Sequence, residues 1–326
     1  MATIRKNRRK FQAIIRKKGF PGQSKCFTHR ADAVAWASII ESEMERGEFT
    51  DRSEADRSLF KDLLEKYSKE VTPRKKGAAQ ELTRIRYWKR HRLGKCAVSK
   101  LRPSDFGSWR DAEIKAGKAA STVRNGLILV SHFFNHCRKE WGLPVKNPIS
   151  DIWMPKLPPG RDRRYRDGEE FRLMEAAARV DAFLAKAIIV LTETGMRRGE
   201  LTGMVKDRLD IKRRVHRIPD TKNSQPREVP LSPRAIETLS SLPTFIDGKV
   251  WPWSADVLTR LFSDAREIAG INDFHLHDLR HEAISRLARI YPIHELARIT
   301  GHKTLNQLMR YYHPTADELA ERLARA

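Results

Sequence analysis

Apolar and polar positions along the chain change rhythm near residue 50. In FQAIIRKKGF, Phe11, Ala13 and Ile15 alternate onto one face, which predicts a strand running into a glycine-containing turn, and SKCF predicts a second strand. Thr28 is placed to cap the helix that follows, whose Val34, Ala37, Ile40 and Met44 share a side until Gly47 ends it. From about residue 52 the spacing is helical throughout. SLFKDLLEKYSKEV sets Leu59, Leu63, Tyr67 and Val71 on one stripe that Pro73 stops. STVRNGLILVSHFFNHCRKEWG repeats this with Val123, Leu127, Val130, Phe134, Cys137 and Trp141, up to Gly142 and Pro144. NPISDIWMPKLPPGRDRRYRDG breaks the pattern with prolines, glycines and arginines, as a basic interdomain linker over roughly residues 147–167 would. Beyond it, helical runs around AFLAKAIIVLTE and ADVLTRLFSDAREIAG bracket LDIKRRVHRIPDTKNSQPREVPLS, which alternates as two or three short strands with polar turns. The last region is therefore α+β, mostly helical, with a small sheet.

Charge adds a partner class to this picture. The 326 residues, enough for two or three domains, carry 64 Lys+Arg against 41 Asp+Glu, a net charge of +23. Such an excess points to a polyanion, because counterions released from phosphates drive association; a solvated surface on a merely basic protein fits the composition alone equally well. Residues 1–30 hold ten Lys or Arg and no Asp or Glu. RIRYWKRHR interleaves cations with aromatics and can lie along a phosphate backbone, or simply form a solvated helix face. Cys26, Cys96 and Cys137 are odd in number and scattered, which suits reduced thiols in a cytosol and excludes a disulfide framework. No apolar run follows the basic N-terminus and none approaches about 18 residues, so neither a signal peptide nor a membrane span is expected.

Four islands in the last region carry candidate chemistry. In TETGMRRGEL a helix is expected to end at Gly195 and Arg197 to open the next turn, where a guanidinium can be aimed at an anion and Glu200 can hold it. PDTKNSQPREVP places Lys222 in a turn between strands, either solvated or able to give a proton to a leaving oxygen. In HLHDLRHEAISRLA, His277 and Arg280 share a helix face that suits one phosphate. His281–Glu282 begins like the zinc motif H-E-x-x-H, but Ser285 stands where the second histidine belongs, so no metal is expected. TGHKTLNQLMRYYHP contains His302, Tyr311 and Tyr312; with IHELARI before it, it also reads as a helix-turn-helix with a recognition helix after Gly301.

Together and in this order, these islands resemble the tyrosine recombinase (phage integrase) family. Its signature is an arginine in T-G-x-R-x-x-E-L, a hairpin lysine, H-x-x-R, G-H, and a tyrosine nine residues later within R-Y-x-H. The matching residues are Arg197, Lys222, His277, Arg280, His302 and Tyr311, with Tyr312 in the variable place before His313. TKNSQPREVPLS and FHLHDLRHEAISR look further like shufflon recombinases, which invert DNA segments. That branch lacks an N-terminal module of this kind, and the module tilts the expectation to integration and excision of a mobile element.

The resemblance implies a multidomain, mostly α chain. Residues 1–49 would be a small basic α+β arm-type DNA-binding module, 52–146 a helical core-binding domain, 147–164 a basic linker, and 165–326 an α+β catalytic domain with a small antiparallel sheet. A helix near the C-terminus, with Thr315 as cap and Leu319 and Leu323 on one side, would dock on a neighbouring protomer. Candidate DNA contacts are Arg5, Lys6, Arg8, Arg9, Lys10, Lys17 and Lys18 in the module, Arg84, Arg86, Lys89 and Arg90 in the helical region, and Arg161, Arg163 and Arg164 in the linker. Partners would be double-stranded DNA with specific sites and a homotetramer on it, compatible with a monomer off DNA and with a DNA-bending accessory protein; no cofactor and no membrane is implied. Localisation would be cytoplasmic, at a prokaryotic nucleoid.

The implied chemistry needs no metal. Arg197 and Arg280 would hold the non-bridging oxygens, His302 would add a donor, Tyr311 would form a 3′-phosphotyrosyl link, and Lys222 would protonate the departing 5′-oxygen. A phenol with pKa ~10 is ionised in roughly one molecule in a thousand at neutral pH, so nearby cations are expected to favour the phenolate and His277 to accept or give its proton. Two competing readings remain at this point: a non-catalytic helix-turn-helix regulator, and a type IB topoisomerase using similar chemistry.

Overall fold

A computed structural model describes residues 2–219, 226–243, 245–312, 320 and 323–324. The chain falls into two compact units, 1–158 and 159–326.

The first unit opens with a strand that apolar alternation did not announce. β1 (Thr3–Asn7) is almost wholly polar, yet it pairs antiparallel with β2 (Lys10–Ile15), which pairs antiparallel with β3 (Gln23–Phe27). Arg8 turns the corner between β1 and β2 at φ 52°. Side chains alternate across a strand, so Ala13 and Ile15 point together into a small core against Ala33, Ala37 and Met44 of α1 (Arg30–Glu45). Two expectations fail here by one position. The residue capping α1 is His29, not Thr28, and it makes no side-chain cap bond. Val34 is 39% exposed and Ala33 is fully buried in its place, because Ala33, Ala37 and Met44 keep a tighter helical phase on the sheet.

Five helices follow: α2 (Ser53–Arg57), α3 (Phe60–Glu70), α4 (Ala78–Arg90), α5 (Pro103–Lys115) and α6 (Ala120–Lys139). Pro73 lies in a 3-10 turn, Thr72–Arg74, directly after α3, where its missing N–H ends the helical ladder. Phe60 anchors the bundle, its ring centroid 5.1 Å from Phe133 and 5.9 Å from Phe134. The segment after α6 is not a free linker. Val145 and Ile149 are buried in the bundle core, and Arg110 stacks 3.8 Å above the Trp153 ring while donating to the Trp153 carbonyl at 3.1 Å.

The second unit contains α7 (Glu169–Val180), α8 (Leu184–Thr194), α9 (Arg198–Thr202), α10 (Pro233–Ser240), α11 (Ala255–Ile268), α12 (Asp278–Leu287) and α13 (Ile293–Thr300). Its sheet is the three-stranded antiparallel β4 (Leu209–Asp210), β5 (Val215–Ile218) and β6 (Arg227–Pro230). α8 is apolar almost all round, as a helix at the centre of a core must be; Ile188, Val190 and Leu191 join Trp251 and Phe274 in one cluster. After α13 the recognition-helix expectation fails. Gly301 takes a left-handed φ of 69°, and the chain then makes two short 3-10 turns, Leu305–Gln307 and Met309–Tyr311, instead of an α-helix. Leu308 is fully buried, with Tyr311 packed beside it, against Ile284, Ala288 and Leu296, and that packing sets the path. Lys222, Thr315 and Leu319 lie outside the described residues. Among the described residues no helix is long and apolar enough to cross a membrane.

Candidate active site

The site begins where α8 stops. Gly195 adopts φ 61°, a conformation open to glycine without strain, so the chain reverses, Met196 is buried and Arg197 becomes the residue before α9. Three positions on, Glu200 reaches back. It accepts from the Arg197 backbone N–H and from Arg197 Nη1, both at 2.8 Å. Arg227, at the start of β6, donates to the same carboxylate through Nη1 at 2.9 Å and Nη2 at 2.7 Å, and through Nε to the Ile299 carbonyl at 2.8 Å. Burial alone would raise the Glu200 carboxyl; hydrogen bonds from Arg227 and Arg197 outweigh it and hold the group at about 2. Glu200 therefore ties Arg197 to the sheet.

α12 supplies the next cation. Arg280 is 4% exposed, donating to the Thr300 carbonyl at 2.7 Å and to the Gly195 carbonyl. Burial, then the like charge of Arg197, pushes its guanidinium down to about 9, still protonated at neutral pH. Cations crowded in this way beside the Glu200 carboxylate make a site whose electrostatics favour an anion. His277 stands at the N-cap position of α12, one residue before the helix proper, and burial followed by Arg280 lowers its pKa.

His302 and Tyr311 arrive from the C-terminal side. The Thr300 hydroxyl lies 2.6 Å from the Leu296 carbonyl and 2.6 Å from His302 Nδ1. A carbonyl only accepts, so the single hydroxyl hydrogen goes to Leu296 and Nδ1 must carry the hydrogen it donates to Thr300. Neutral His302 thus presents a bare Nε2. Burial, then Arg280 and Arg197, keeps that neutral form, with a pKa of about 4. His302 Nε2 becomes a donor only when a bound anion raises the imidazole's pKa enough for it to take up a proton. Tyr311 is half-buried, and its hydroxyl meets His281 Nδ1, not His277. Burial pushes the phenol up and the pull of Arg310 and Arg280 does not overcome it, so the expected net favouring of the phenolate by cations does not hold at rest.

Comparison with known proteins places the chain. The phage integrase family matches residues 164–318. A shufflon-specific DNA recombinase of Escherichia coli is 36% identical over 269 residues, 80% of this chain and 70% of that protein. The chain belongs to the phage integrase family of tyrosine recombinases. A Haemophilus influenzae protein with the provisional name integrase/recombinase is 31% identical over 336 residues, 98% of this chain and 89% of that one. A lambda integrase tetramer bound to a Holliday junction shares the fold, with a TM-score of 0.65 at 19% identity, over 93% of this chain and 95% of that one.

In this recombinase, Arg197, His277, His302 and Tyr311 all lie within electrostatic reach of Arg280. The candidate DNA contacts divide. Arg5, Lys6, Arg8, Arg9, Lys10 and Lys18 are exposed on the N-terminal sheet and its turns, while Lys17 is half-buried and lies 3.8 Å from Glu45. On α4, Arg86 and Arg90 are exposed, Arg84 is half-buried, and Lys89 is paired with Glu65. Arg161 does not sit in a free linker: it binds Asp278 at 2.9 Å and Asp273 at 2.8 Å, fastening the start of α12. Arg163 binds Glu169 at 2.7 Å, and Arg164 is exposed. Asp273 and Asp278, more than a hundred positions from Arg161, and Glu169, six from Arg163, thus engage both guanidiniums in the structure. Sequence reasoning missed two residues of the pocket, Arg227 and His281. The signal for His281 was its place next to Arg280 and one helical turn beyond His277.

Proposed function

We propose that this recombinase cuts and rejoins duplex DNA at specific sites through a 3′-phosphotyrosyl link on Tyr311 and a Holliday junction, integrating and excising a mobile element. The observation that carries the reading is a phenol within electrostatic reach of the buried Arg280, which the partly exposed Arg197 adjoins, a cationic pair suited to a phosphodiester. A phosphodiester resists attack because charge accumulates on its non-bridging oxygens. Arg197 and Arg280 offset that charge, and His302 joins them once the bound anion has raised its pKa enough for it to take a proton from solvent. The Tyr311 oxygen bonds to phosphorus, the bond to the 5′-oxygen breaks, and Lys222 protonates the departing oxygen. Attack by a 5′-hydroxyl on the ester reverses these steps without ATP.

On this reading residues 1–49 grip arm-type DNA, 52–146 grip the core site, and the C-terminal segment docks between protomers of a tetramer. The E. coli relative's name favours a second reading, DNA inversion. Plasmids carrying the sites in direct or inverted orientation separate the two: direct repeats excise and inverted repeats invert, and efficient reaction of inverted sites alone establishes inversion.

The test of the chemistry is adduct mapping. Fragments of DNA flanking the gene are incubated with the protein, digested with protease and nuclease, and analysed by mass spectrometry. A nucleotide on Tyr311, lost in Tyr311→Phe and kept in Tyr312→Phe, is the expected result. An adduct on Tyr312, or DNA cleavage with no adduct, overturns the assignment.

A further inference from the structure

The residue that meets the Tyr311 hydroxyl is His281, which the family signature does not include. Its Nδ1 contacts the phenolic oxygen, and its ring stacks on the Tyr311 ring at 28° with centroids 5.8 Å apart. The phenol ring is clamped on its other sides by the apolar cluster of Ile284, Ala288, Leu296 and Leu308. His277 lies one turn earlier on α12, its ring at 87° to that of His281 and 5.2 Å away, and has no such contact with the tyrosine in the structure. Helix α12 thus delivers from consecutive positions a guanidinium to the pocket, through Arg280, and an imidazole to the phenol, through His281.

We infer that His281 is the group that accepts the Tyr311 proton during strand cleavage and returns it on religation. The inference rests on Tyr311 being the nucleophile. The atoms balance: the O–H bond of Tyr311 breaks, the proton passes to His281 Nδ1, the phenolic oxygen bonds phosphorus, and the P–O5′ bond breaks with its own proton supplied from Lys222. Several charged and titratable groups face His281. His277, Asp278 and Arg280 stand on or at the start of its own helix, and Arg310 and Tyr311 stand on the facing 3-10 turn. Burial first, then His277, Arg310 and Arg280, keeps the imidazole neutral at rest, near 4, so its lone pair is available. A bound phosphate offsets those cations, raises the basicity of the imidazole, and times proton uptake to the arrival of DNA.

The experiment is single-turnover cleavage of a nicked duplex bearing the mapped site, across a pH series, by the full chain and by His281→Phe, His281→Asn and His281→Ala. Phe keeps the aromatic stack and removes the acceptor; Asn accepts a hydrogen bond without taking a proton. All three should slow cleavage by about 10²–10⁴-fold with DNA affinity unchanged, and the acidic limb of the wild-type rate profile should vanish. Histidine nitrogen NMR of the DNA-free protein should show Nδ1 of His281 unprotonated at neutral pH. Cleavage by His281→Phe within threefold of wild type, or full rescue by Asn, overturns the proton role. If the wild-type protein gives no Tyr311 adduct, the functional reading fails first, and the two failures remain distinct.

Discussion

The bond between Glu200 and Arg227 can be weighed by a double-mutant cycle. Both side chains are 8% exposed, and two N–H groups of Arg227 bind the carboxylate at 2.9 and 2.7 Å. Each such charge-assisted bond contributes about 1.5–3 kcal/mol, and removing one partner of a buried pair costs about 3–5 kcal/mol. Glu200 keeps its bonds to Arg197 when Arg227 is gone, so Arg227→Met should fall at the lower end, about 3 kcal/mol. Titration gives a comparable figure, since lowering a carboxyl from 4.5 to about 2 corresponds to roughly 3 kcal/mol. Glu200→Gln should cost about as much, because it leaves Arg197, Arg227 and Arg280 crowded without a counter-charge. The double variant Glu200→Gln/Arg227→Met removes both charges and should recover at least about 2 kcal/mol of the summed losses. Hydrogen exchange of the α9 and β6 amides reads these free energies within the second unit alone. A coupling below about 0.5 kcal/mol would mean that the residues are only neighbours and that the proposed tie to Arg197 is wrong.

Three other outcomes are expected. Arg197→Lys and Arg280→Lys keep the charge but lose the planar fork, and each should slow cleavage by about 10²–10³-fold in the adduct assay; a change under tenfold contradicts their role. Acid should weaken the second unit in two stages visible in urea melts. His216 is 2% exposed and held by burial at about 4, so the unfolded chain takes up its proton first, and roughly 3 kcal/mol is lost as pH falls from 6.5 through 4. Glu200, held at about 2, contributes fully above pH 4.5 and loses that contribution as pH falls through 2. Gly301→Ala should cost about 1–2 kcal/mol, because φ is 69° and the new Cβ would lie 3.0 Å from Arg227 Nη1; unchanged melting would show that the turn relaxes freely.

The legible part of the sequence was the part fixed by chemistry at short range. Gly195 ending α8, Arg197 opening α9 and His302 nine positions before Tyr311 are local relations that a linear string displays. What stayed hidden was made of contacts across long separations. Arg227 meets Glu200 across 27 positions, His281 meets Tyr311 across 30, and Arg161 meets Asp278 across 117. No periodicity carries such information. β1 was hidden for a different reason: its pairing with β2 satisfies backbone groups whatever its side chains are, so Arg5 and Lys6 sit in a strand that alternation cannot flag. The phase error at Ala33 and Val34 arose because a small residue and a β-branched one fit the same helical stripe, and only the close approach of the sheet selects alanine.

The resting state of Tyr311 constrains how the proposed reaction is switched on. Arg310 and Arg280 both favour a phenolate, yet burial raises the phenol further than they lower it. On the proposed reading, a nucleophile that stays protonated without DNA is a poor one until its substrate arrives. The same burial that disfavours the phenolate also lowers Arg280 and His302 below their ordinary values, so the charged form of each gains from a neutralising anion. On the proposed reading one phosphodiester therefore relieves several unfavourable terms at once: it binds Arg197 and Arg280, raises the basicity of His302 so that it takes up a proton from solvent, and makes the imidazole at Tyr311 a stronger base. Differential stabilisation of this kind is present only with the substrate in place, which is the condition for raising a rate rather than merely tightening binding.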